Sequence, residues 1–229
     1  MKVLHVAPHP DDETDAAGGT LAKLSRSHDV FVVYLTDGRE GSPNPEERGV
    51  QLAVRRRREA LEALRVLGIR PENAFFLDYP DQRLRFYARK ASERLAELLK
   101  AIGPDLLIYP ASFDAHVDHH AGARVAKLAV KKAGLRANEL SYLVWPPEPS
   151  RHPARYRRYQ AALGRRILVD VGEYKAIKLE AIKRHESQFK HFDAEFIRRF
   201  FETDYEVFYV ERVVDRRVIE LLTGRPWRR

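Results

Sequence analysis

The chain has 229 residues, of which 44% are hydrophobic and 32% are charged. This length predicts one domain over residues 1–229, with a core large enough to need no disulfide. The absence of cysteine excludes disulfides, thiolate zinc sites and cysteine nucleophiles. The net charge of +8 comes from basic residues spread along the chain rather than gathered in one tail. We therefore expect a solvated charged surface and no nucleic-acid partner.

The N-terminal apolar run is too short for a signal peptide and is typical of a first strand. No stretch approaches the roughly 20 apolar residues that cross a bilayer. We therefore expect a cytoplasmic protein without a membrane span.

Strand and helix patterns alternate through the first two-thirds of the chain. In chain order the sequence predicts strand 2–8, helix 16–25, strand 30–36, helix 46–67, strand 74–77, helix 84–102, strand 105–110, helix 121–133, strands 140–145 and 166–171, helices 174–185 and 194–201, and strand 207–213. Several strands are continuous apolar runs, as expected where both faces of a sheet are covered. The pattern predicts an α/β fold with an open, mostly parallel, Rossmann-like sheet, helices on both faces, and additional C-terminal strands and helices.

One segment interrupts this pattern. Residues 146–158 contain several prolines and arginines and predict a long surface loop. Such a loop is either an insertion on the substrate side or a mobile segment.

Polar clusters follow two of the predicted strands. Residues 8–13 read Pro-His-Pro-Asp-Asp-Glu, and residues 114–120 read Asp-Ala-His-Val-Asp-His-His. Ligands of open α/β sheets bind beyond the carboxyl ends of the strands. A single His-Asp pair is usually a turn or a helix cap, whereas neutral histidine and ionised aspartate are also ordinary zinc ligands. Two such clusters at strand ends favour a metal site.

Two motifs resemble the signatures of a known family. The segment Ala7–Leu21 is similar to the first signature of the PIG-L/LmbE-like zinc-dependent N-acetylglucosaminyl deacetylases, and His116–His119 resembles the second, which is usually His-Pro-Asp-His. The resemblance covers roughly residues 1–190. Three weaker matches lie in the order that the family has: Thr36–Gly38, Arg56–Gly68 and His185–Gln188.

The resemblance implies a zinc site and a catalytic base. It implies that His9, Asp12 and His119 ligate Zn²⁺, and that Asp11 is the general base that activates water. The chemistry is consistent with this, because zinc lowers the pKa of bound water toward about 7 and polarises a carbonyl group. A carboxylate next to a ligand can then take the water proton. Another divalent metal would also suit a His₂Asp set.

The resemblance also implies roles for three further residues. It implies that Arg56 helps to polarise the acyl oxygen and that Asp118 orients an imidazole. It implies that His116 donates to the oxyanion or protonates the leaving amine. The chain departs from the family at position 117, where valine replaces the usual proline.

Several other positions keep two interpretations. Asp81 is either a residue near the site or a turn aspartate. His185 and Gln188 are either structural or part of the pocket lining. Gly18 and Gly19 lack the spacing of a phosphate loop, which favours close backbone packing.

The family implies an amide hydrolase that removes an N-acetyl group from a glucosamine-like sugar or conjugate. Family members often form trimers or hexamers, so a homo-oligomer is an implied assembly. The alternatives are an amidase for another acyl amide, or a basic binding protein with a non-catalytic metal site. The aspartate pair favours catalysis, because a structural metal site has no need of Asp11.

Overall fold

Strands and helices alternate along most of the chain. A computed structural model describes residues 1–227, except for the side chains of residues 196 and 199–201. The strands are β1 (Lys2–Ala7), β2 (Asp29–Thr36), β3 (Ala74–Tyr79), β4 (Leu106–Pro110), β5 (Asn138–Tyr142), β6 (Arg166–Asp170) and β7 (Tyr205–Arg212). The helices are α1 (Asp12–Ser25), α2 (Val50–Val66), α3 (Leu84–Ile102), α4 (Val117–Ala133), α5 (Pro153–Ala162), α6 (Lys175–Arg184), α7 (Glu186–Phe189), α8 (Ala194–Glu202) and α9 (Arg216–Thr223).

Within residues 1–227 the strands form one sheet in the order β3-β2-β1-β4-β5-β7-β6. The pairs from β3 to β5 are parallel, and β7 runs antiparallel to both of its neighbours. The strand order changes direction between β1 and β4, which is where open α/β sheets bind ligands. The prediction of an open, mostly parallel α/β sheet is confirmed.

Helices cover both faces of the sheet. Along β1, Val3 and Ala7 pack in one apolar cluster with residues of α1 and α2. Leu4 and Val6 point to the other face and pack with residues of α3 and α4. Burial on both faces explains why these strands read as continuous apolar runs. Among the described helices, none is long and apolar enough to span a bilayer.

Both polar clusters run into the first turn of a helix, so two predicted helix starts are wrong. α1 begins at Asp12 rather than at residue 16. α4 begins at Val117 rather than at residue 121, because the Nδ1 atom of His116 accepts a hydrogen bond from the amide of Asp118 and caps the helix. Asp12 and His119 therefore lie in the first turns of α1 and α4, whereas His9 and His116 precede these helices.

Two further predictions need correction. The surface loop predicted for residues 146–158 is wrong from Pro153 onward, where α5 begins with proline in its first turn. The helix predicted from residue 46 begins at Val50, because Gly49 has a φ of 113° that no helix accommodates. A short 3₁₀ turn, Pro45–Glu47, precedes it.

Gly19 lies where α1 packs against the C-terminal part of the chain. A Cβ atom on Gly19 would lie 2.7 Å from the Cβ atom of Val171. The carboxylate of Glu206 accepts hydrogen bonds from the amides of Gly19 (2.9 Å) and Thr20 (2.8 Å). Lys178 pairs with the same carboxylate at 2.7 Å. These contacts confirm the interpretation of this glycine as a site of close backbone packing.

Candidate active site

The segments that follow β1 and β4 bring three buried side chains together at the carboxyl edge of the sheet. Oδ2 of Asp12 lies 3.2 Å from Nδ1 of His9, and Oδ1 of the same carboxylate lies 3.2 Å from Nε2 of His119. All three residues are buried. The structure thus places the imidazoles of two predicted metal ligands against the carboxylate of the third.

The second nitrogen of each imidazole faces a buried carboxylate. Nδ1 of His119 lies 3.1 Å from Oδ2 of Asp114. Nε2 of His9 lies 3.2 Å from Oδ1 of Asp81 and 3.4 Å from Oδ2 of Asp118. Such carboxylates fix the tautomer and orientation of metal-binding histidines. Asp118 thus contacts the His9 imidazole, while the orienting contact of Asp114 had no counterpart among the sequence predictions.

The electrostatics of this cluster favour a bound cation. Although burial opposes ionisation of Asp12, the imidazoles of His119 and His9 hold the pKa of its carboxyl well below the ordinary value. Burial also opposes protonation of His119, but Asp12 and Asp114 raise its pKa to about 10. A positive charge between the buried carboxylates of Asp12 and Asp114 is therefore stabilised, and a divalent ion would supply it.

The donor atoms fit that ion. Two imidazole nitrogens and one carboxylate match a His₂Asp zinc site that keeps a position for water or substrate. One ring nitrogen from each of His9, His116 and His119 also lies within 4.8 Å of the other two. His116 is therefore close enough to contact a ligand held at the same point.

Asp11 lies beside the cluster of His9, Asp12 and His119 and is held by an arginine. Its Oδ2 atom lies 3.0 Å from Nη2 of Arg56. The guanidinium of Arg56 is itself fixed, because it donates to the carbonyl oxygens of Gly38 and Pro10 at 2.9 Å each. Burial raises the pKa of Asp11 to about 6, even though Arg56 opposes this shift. A carboxylate in that range can exchange protons near neutral pH.

His116 has a defined tautomer. Its Nδ1 atom accepts the amide hydrogen of Asp118 at 3.2 Å, which leaves the proton of the neutral ring on Nε2. Burial lowers the pKa of His116 to about 4, and the neighbouring imidazoles of His9 and His119 add to this shift. His116 is therefore a neutral N–H donor at physiological pH.

A cavity of about 470 Å³ opens over these residues. Asp11, Asp12, His116 and His119 line it, and so does Gln188 from α7. A larger cavity of about 900 Å³ lies beside β6 and the C-terminal segment, and its lining contains none of the site residues predicted from the sequence. The 470 Å³ cavity falls in the range that binds small ligands.

The segment after β5 forms an aromatic wall of this cavity. Val144 and Trp145 line it, and Trp145 is 51% exposed. Oδ2 of Asp114 accepts the amide hydrogens of Val144 (3.0 Å) and Trp145 (3.1 Å). These amides cannot join the sheet, so β5 ends at Tyr142 and not at residue 145 as predicted.

His185 lies outside the cavity lining. Its imidazole is fully buried, and Nε2 lies 3.0 Å from Oε1 of Glu13 on α1. The sequence left His185 and Gln188 as either structural residues or pocket lining; Gln188 lines the cavity, whereas His185 packs against Glu13 of α1 outside it.

Comparison with protein families identifies the chain. The family model described as PIG-L, GlcNAc-PI de-N-acetylase, matches residues 4–130. The chain belongs to the PIG-L family. The matched residues include His9, Asp12 and His119, while His185 and Gln188 lie beyond them.

Named relatives extend the similarity beyond the matched region. Diacetylchitobiose deacetylase of Thermococcus kodakarensis is 32% identical over 192 residues, which cover 82% of this chain and 70% of the relative. A probable N-acetyl-alpha-D-glucosaminyl L-malate deacetylase 2 of Bacillus anthracis is 30% identical over 82% of this chain and 81% of its own. The structure of N,N'-diacetylchitobiose deacetylase from Pyrococcus horikoshii superposes with a TM-score of 0.71 at 26% identity, covering 91% of this chain and 83% of the other.

Proposed function

We propose that this PIG-L family member is a Zn²⁺-dependent N-deacetylase that releases acetate from an N-acetylglucosamine-type sugar or conjugate. The observation that carries the proposal is the Asp11-Asp12 pair. Asp12 lies between two imidazoles, while Asp11 faces the cavity with a pKa of about 6. The relatives named above support the substrate class, because both curated names describe deacetylases of N-acetylated glucosamine compounds.

The metal donors are His9, Asp12 and His119. Zn²⁺ bound there would polarise the acyl oxygen and acidify the attacking water. Asp81, Asp114 and Asp118 would hold the two imidazoles in the orientation that binding requires, as their contacts with the second ring nitrogens suggest.

Asp11 moves the proton. Because Oδ2 is paired with Arg56, we assign the proton from the attacking water to Oδ1. Asp11 then returns this proton to the amine nitrogen as the C–N bond breaks, so that the products are acetate and a free amine. The contacts of Arg56 favour a role in holding Asp11, in place of the polarisation of the acyl oxygen that the family resemblance implies.

His116 stabilises the developing oxyanion. Its Nε2–H group donates a hydrogen bond, and a pKa of about 4 keeps the ring neutral. This favours hydrogen-bond donation over protonation of the leaving amine. A donor directed at the tetrahedral oxygen lowers the barrier because the charge develops only in the transition state.

The test is acetate release from a panel that includes N-acetylglucosamine and N,N'-diacetylchitobiose. We expect release by the zinc-loaded protein, loss of release after chelation, and recovery when Zn²⁺ is returned. Release that survives complete metal removal contradicts the metal-dependent mechanism. Failure of the loaded protein to act on any N-acetylated sugar contradicts the substrate class.

A further inference from the structure

The backbone of Asp11 is strained. Its φ of 148° and ψ of −26° lie in a region that residues other than glycine rarely adopt. Such a conformation persists only where surrounding contacts fix it. The carbonyl oxygen of Asp11 accepts the amide hydrogens of Thr14 (3.0 Å) and Asp15 (2.9 Å), which fixes one side of the residue.

The other side of Asp11 is fixed by Glu13. The amide of Asp11 donates to Oε2 of Glu13 at 3.1 Å. Glu13 is fully buried and does not line the cavity. Its carboxylate therefore acts on the backbone of the proposed base and not on a substrate.

Glu13 is held in turn by His185. Oε1 of Glu13 lies 3.0 Å from Nε2 of His185 and accepts the hydroxyl hydrogen of Thr14 at 2.8 Å. Burial opposes the charge on both partners, but each favours the charged form of the other. The pKa of Glu13 is lowered and that of His185 is raised. A removed partner would leave a buried charge without a counterion.

We propose that Glu13 and His185 are positioning residues that hold the strained peptide of Asp11 and so aim its carboxylate at the acetyl group. This inference rests on the proposed function, in which Asp11 is the base. His185 reaches this network from the end of α6, outside the residues 4–130 that the family model matches. The C-terminal part of the chain thereby sets the geometry of a catalytic group in the N-terminal part.

The first experiment compares His185→Ala with His185→Gln. Alanine removes the donor to Glu13, whereas glutamine keeps an N–H group near the position of Nε2. For His185→Ala we expect kcat to fall about 100-fold with KM and bound zinc unchanged, because small misplacements of catalytic groups cost rates of this order. We expect His185→Gln to recover most of the lost kcat. Wild-type kcat in His185→Ala overturns the proposal.

A second measurement needs no activity. Hydrogen exchange of the Asp11 amide in metal-free protein reports its bond to Glu13 directly. We expect faster exchange in His185→Ala and protection in His185→Gln. Unchanged exchange in His185→Ala overturns the positioning role. This readout does not depend on turnover, so it can be measured even if the wild type releases no acetate. The positioning role and the proposed deacetylase function can therefore be contradicted independently of each other.

Glu13→Asp keeps the experiment decisive if His185→Ala does not fold. Aspartate preserves the charge opposite His185 but withdraws the carboxylate from the Asp11 amide by one methylene group. We expect kcat to fall at least about tenfold with KM unchanged, by the same loss of alignment. Wild-type kcat together with wild-type exchange of the Asp11 amide contradicts the proposal.

The matched control is Glu206→Gln. Glu206 forms another buried ion pair near His185, with Lys178 of α6 at 2.7 Å. It contacts α1 at Gly19 and Thr20, away from Asp11. We expect lower stability with wild-type kcat and wild-type exchange at Asp11. If Glu206→Gln lowers kcat as His185→Ala does, the effect is general loosening of α1 and the positioning role is wrong.

Discussion

The N-terminal and C-terminal parts of the chain contribute different things to the site. Residues 4–130, which the family model matches, carry the proposed metal donors and the proposed base. The part after residue 130 contributes Trp145 and Gln188 to the cavity wall and His185 to the support of Asp11. The proposed reactive groups thus come from residues 4–130, whereas the later part of the chain adds further groups that line the cavity or support Asp11.

This difference predicts which substitutions should affect catalysis and metal binding and which should affect substrate binding. Proposed donors such as His119 contact buried carboxylates, so their loss leaves these carboxylates without a counterion. Trp145 is half exposed, so its loss removes contact area and little else. We therefore expect effects on kcat and metal content from the first part, and effects on KM from the cavity wall.

The largest effect should come from His119→Ala. This change removes one of the three proposed donors and leaves Asp12 and Asp114 without their shared imidazole, so we expect loss of both stoichiometric zinc and acetate release. Metal analysis and the acetate assay check this. The matched control is His120→Ala, since Nδ1 of His120 lies 2.8 Å from the carbonyl oxygen of Ser112 and its ring does not line the cavity. Wild-type zinc affinity in His119→Ala would show that the donor set is wrong.

Asp11→Asn should test whether Asp11 takes the water proton without also binding the metal. Asparagine keeps the size of the side chain but cannot take a proton, so we expect kcat to fall about 10²- to 10⁴-fold. Zinc content should stay at the wild-type level, because Asp11 is not among the proposed donors. Unchanged turnover would remove Asp11 as the base, and parallel loss of zinc would make it a ligand.

His116→Ala should lower kcat about 10²- to 10³-fold by removing a donor to the oxyanion. KM should change little, because the hydrogen bond strengthens only as charge develops on the oxygen. Steady-state kinetics on N,N'-diacetylchitobiose measure both constants. A rise in KM at constant kcat would mean that His116 binds the ground state and has no special role in the transition state.

Trp145→Ala should change substrate preference more than rate. The indole is exposed at the cavity wall, where an aromatic ring can stack on a sugar ring beyond the one that reacts. We expect KM for N,N'-diacetylchitobiose to rise about tenfold, equivalent to about 1.4 kcal/mol. KM for N-acetylglucosamine should stay near the wild-type value, and Trp145→Phe should restore most of the loss. Equal effects on both sugars would argue against a second-ring contact.

The smallest effect on chemistry should come from Gly19→Ala, which tests the junction between the two parts. The added methyl group would lie 2.7 Å from the Cβ atom of Val171, so we expect a loss of about 1–3 kcal/mol in the free energy of unfolding. Gly18→Ala is the matched control, because its nearest contact is the flexible side chain of Lys178 at 3.0 Å. Urea unfolding of both variants makes the comparison. Equal stability of the two would show that α1 and Val171 can separate at little cost.

The sequence predicts much of the sheet and part of the site because both are encoded locally. Strands buried on both faces are continuous apolar runs, and the carboxyl ends of β1 and β4 are marked by polar clusters. Since parallel strands end at one edge, two such clusters can be expected to meet. The structure accordingly places the imidazoles of His9 and His119 against the two oxygens of the Asp12 carboxylate.

Other features of the structure depend on contacts between residues far apart in the chain, which local sequence patterns do not predict. His185, the partner of Glu13, is 172 residues away in the chain, so the sequence around either residue does not predict their contact. The end of β5 is decided by a side chain from another loop, Asp114, which takes two backbone amides. α5 was missed because prolines and arginines are typical of loops, although proline is well suited to the first turn of a helix.

Asp114 places a constraint on anyone who redesigns this protein. Oδ2 of this one carboxylate serves the His119 imidazole and the amides of Val144 and Trp145, and Oδ1 accepts the amide hydrogen of His116. A loop grafted after β5 to accept a new sugar would therefore also have to present two amides at the same place, or His119, a proposed metal ligand, would lose its orientation. Exchanges that begin after Trp145 leave that anchor intact, and they mark the point at which the specificity of this scaffold can be changed without rebuilding its chemistry.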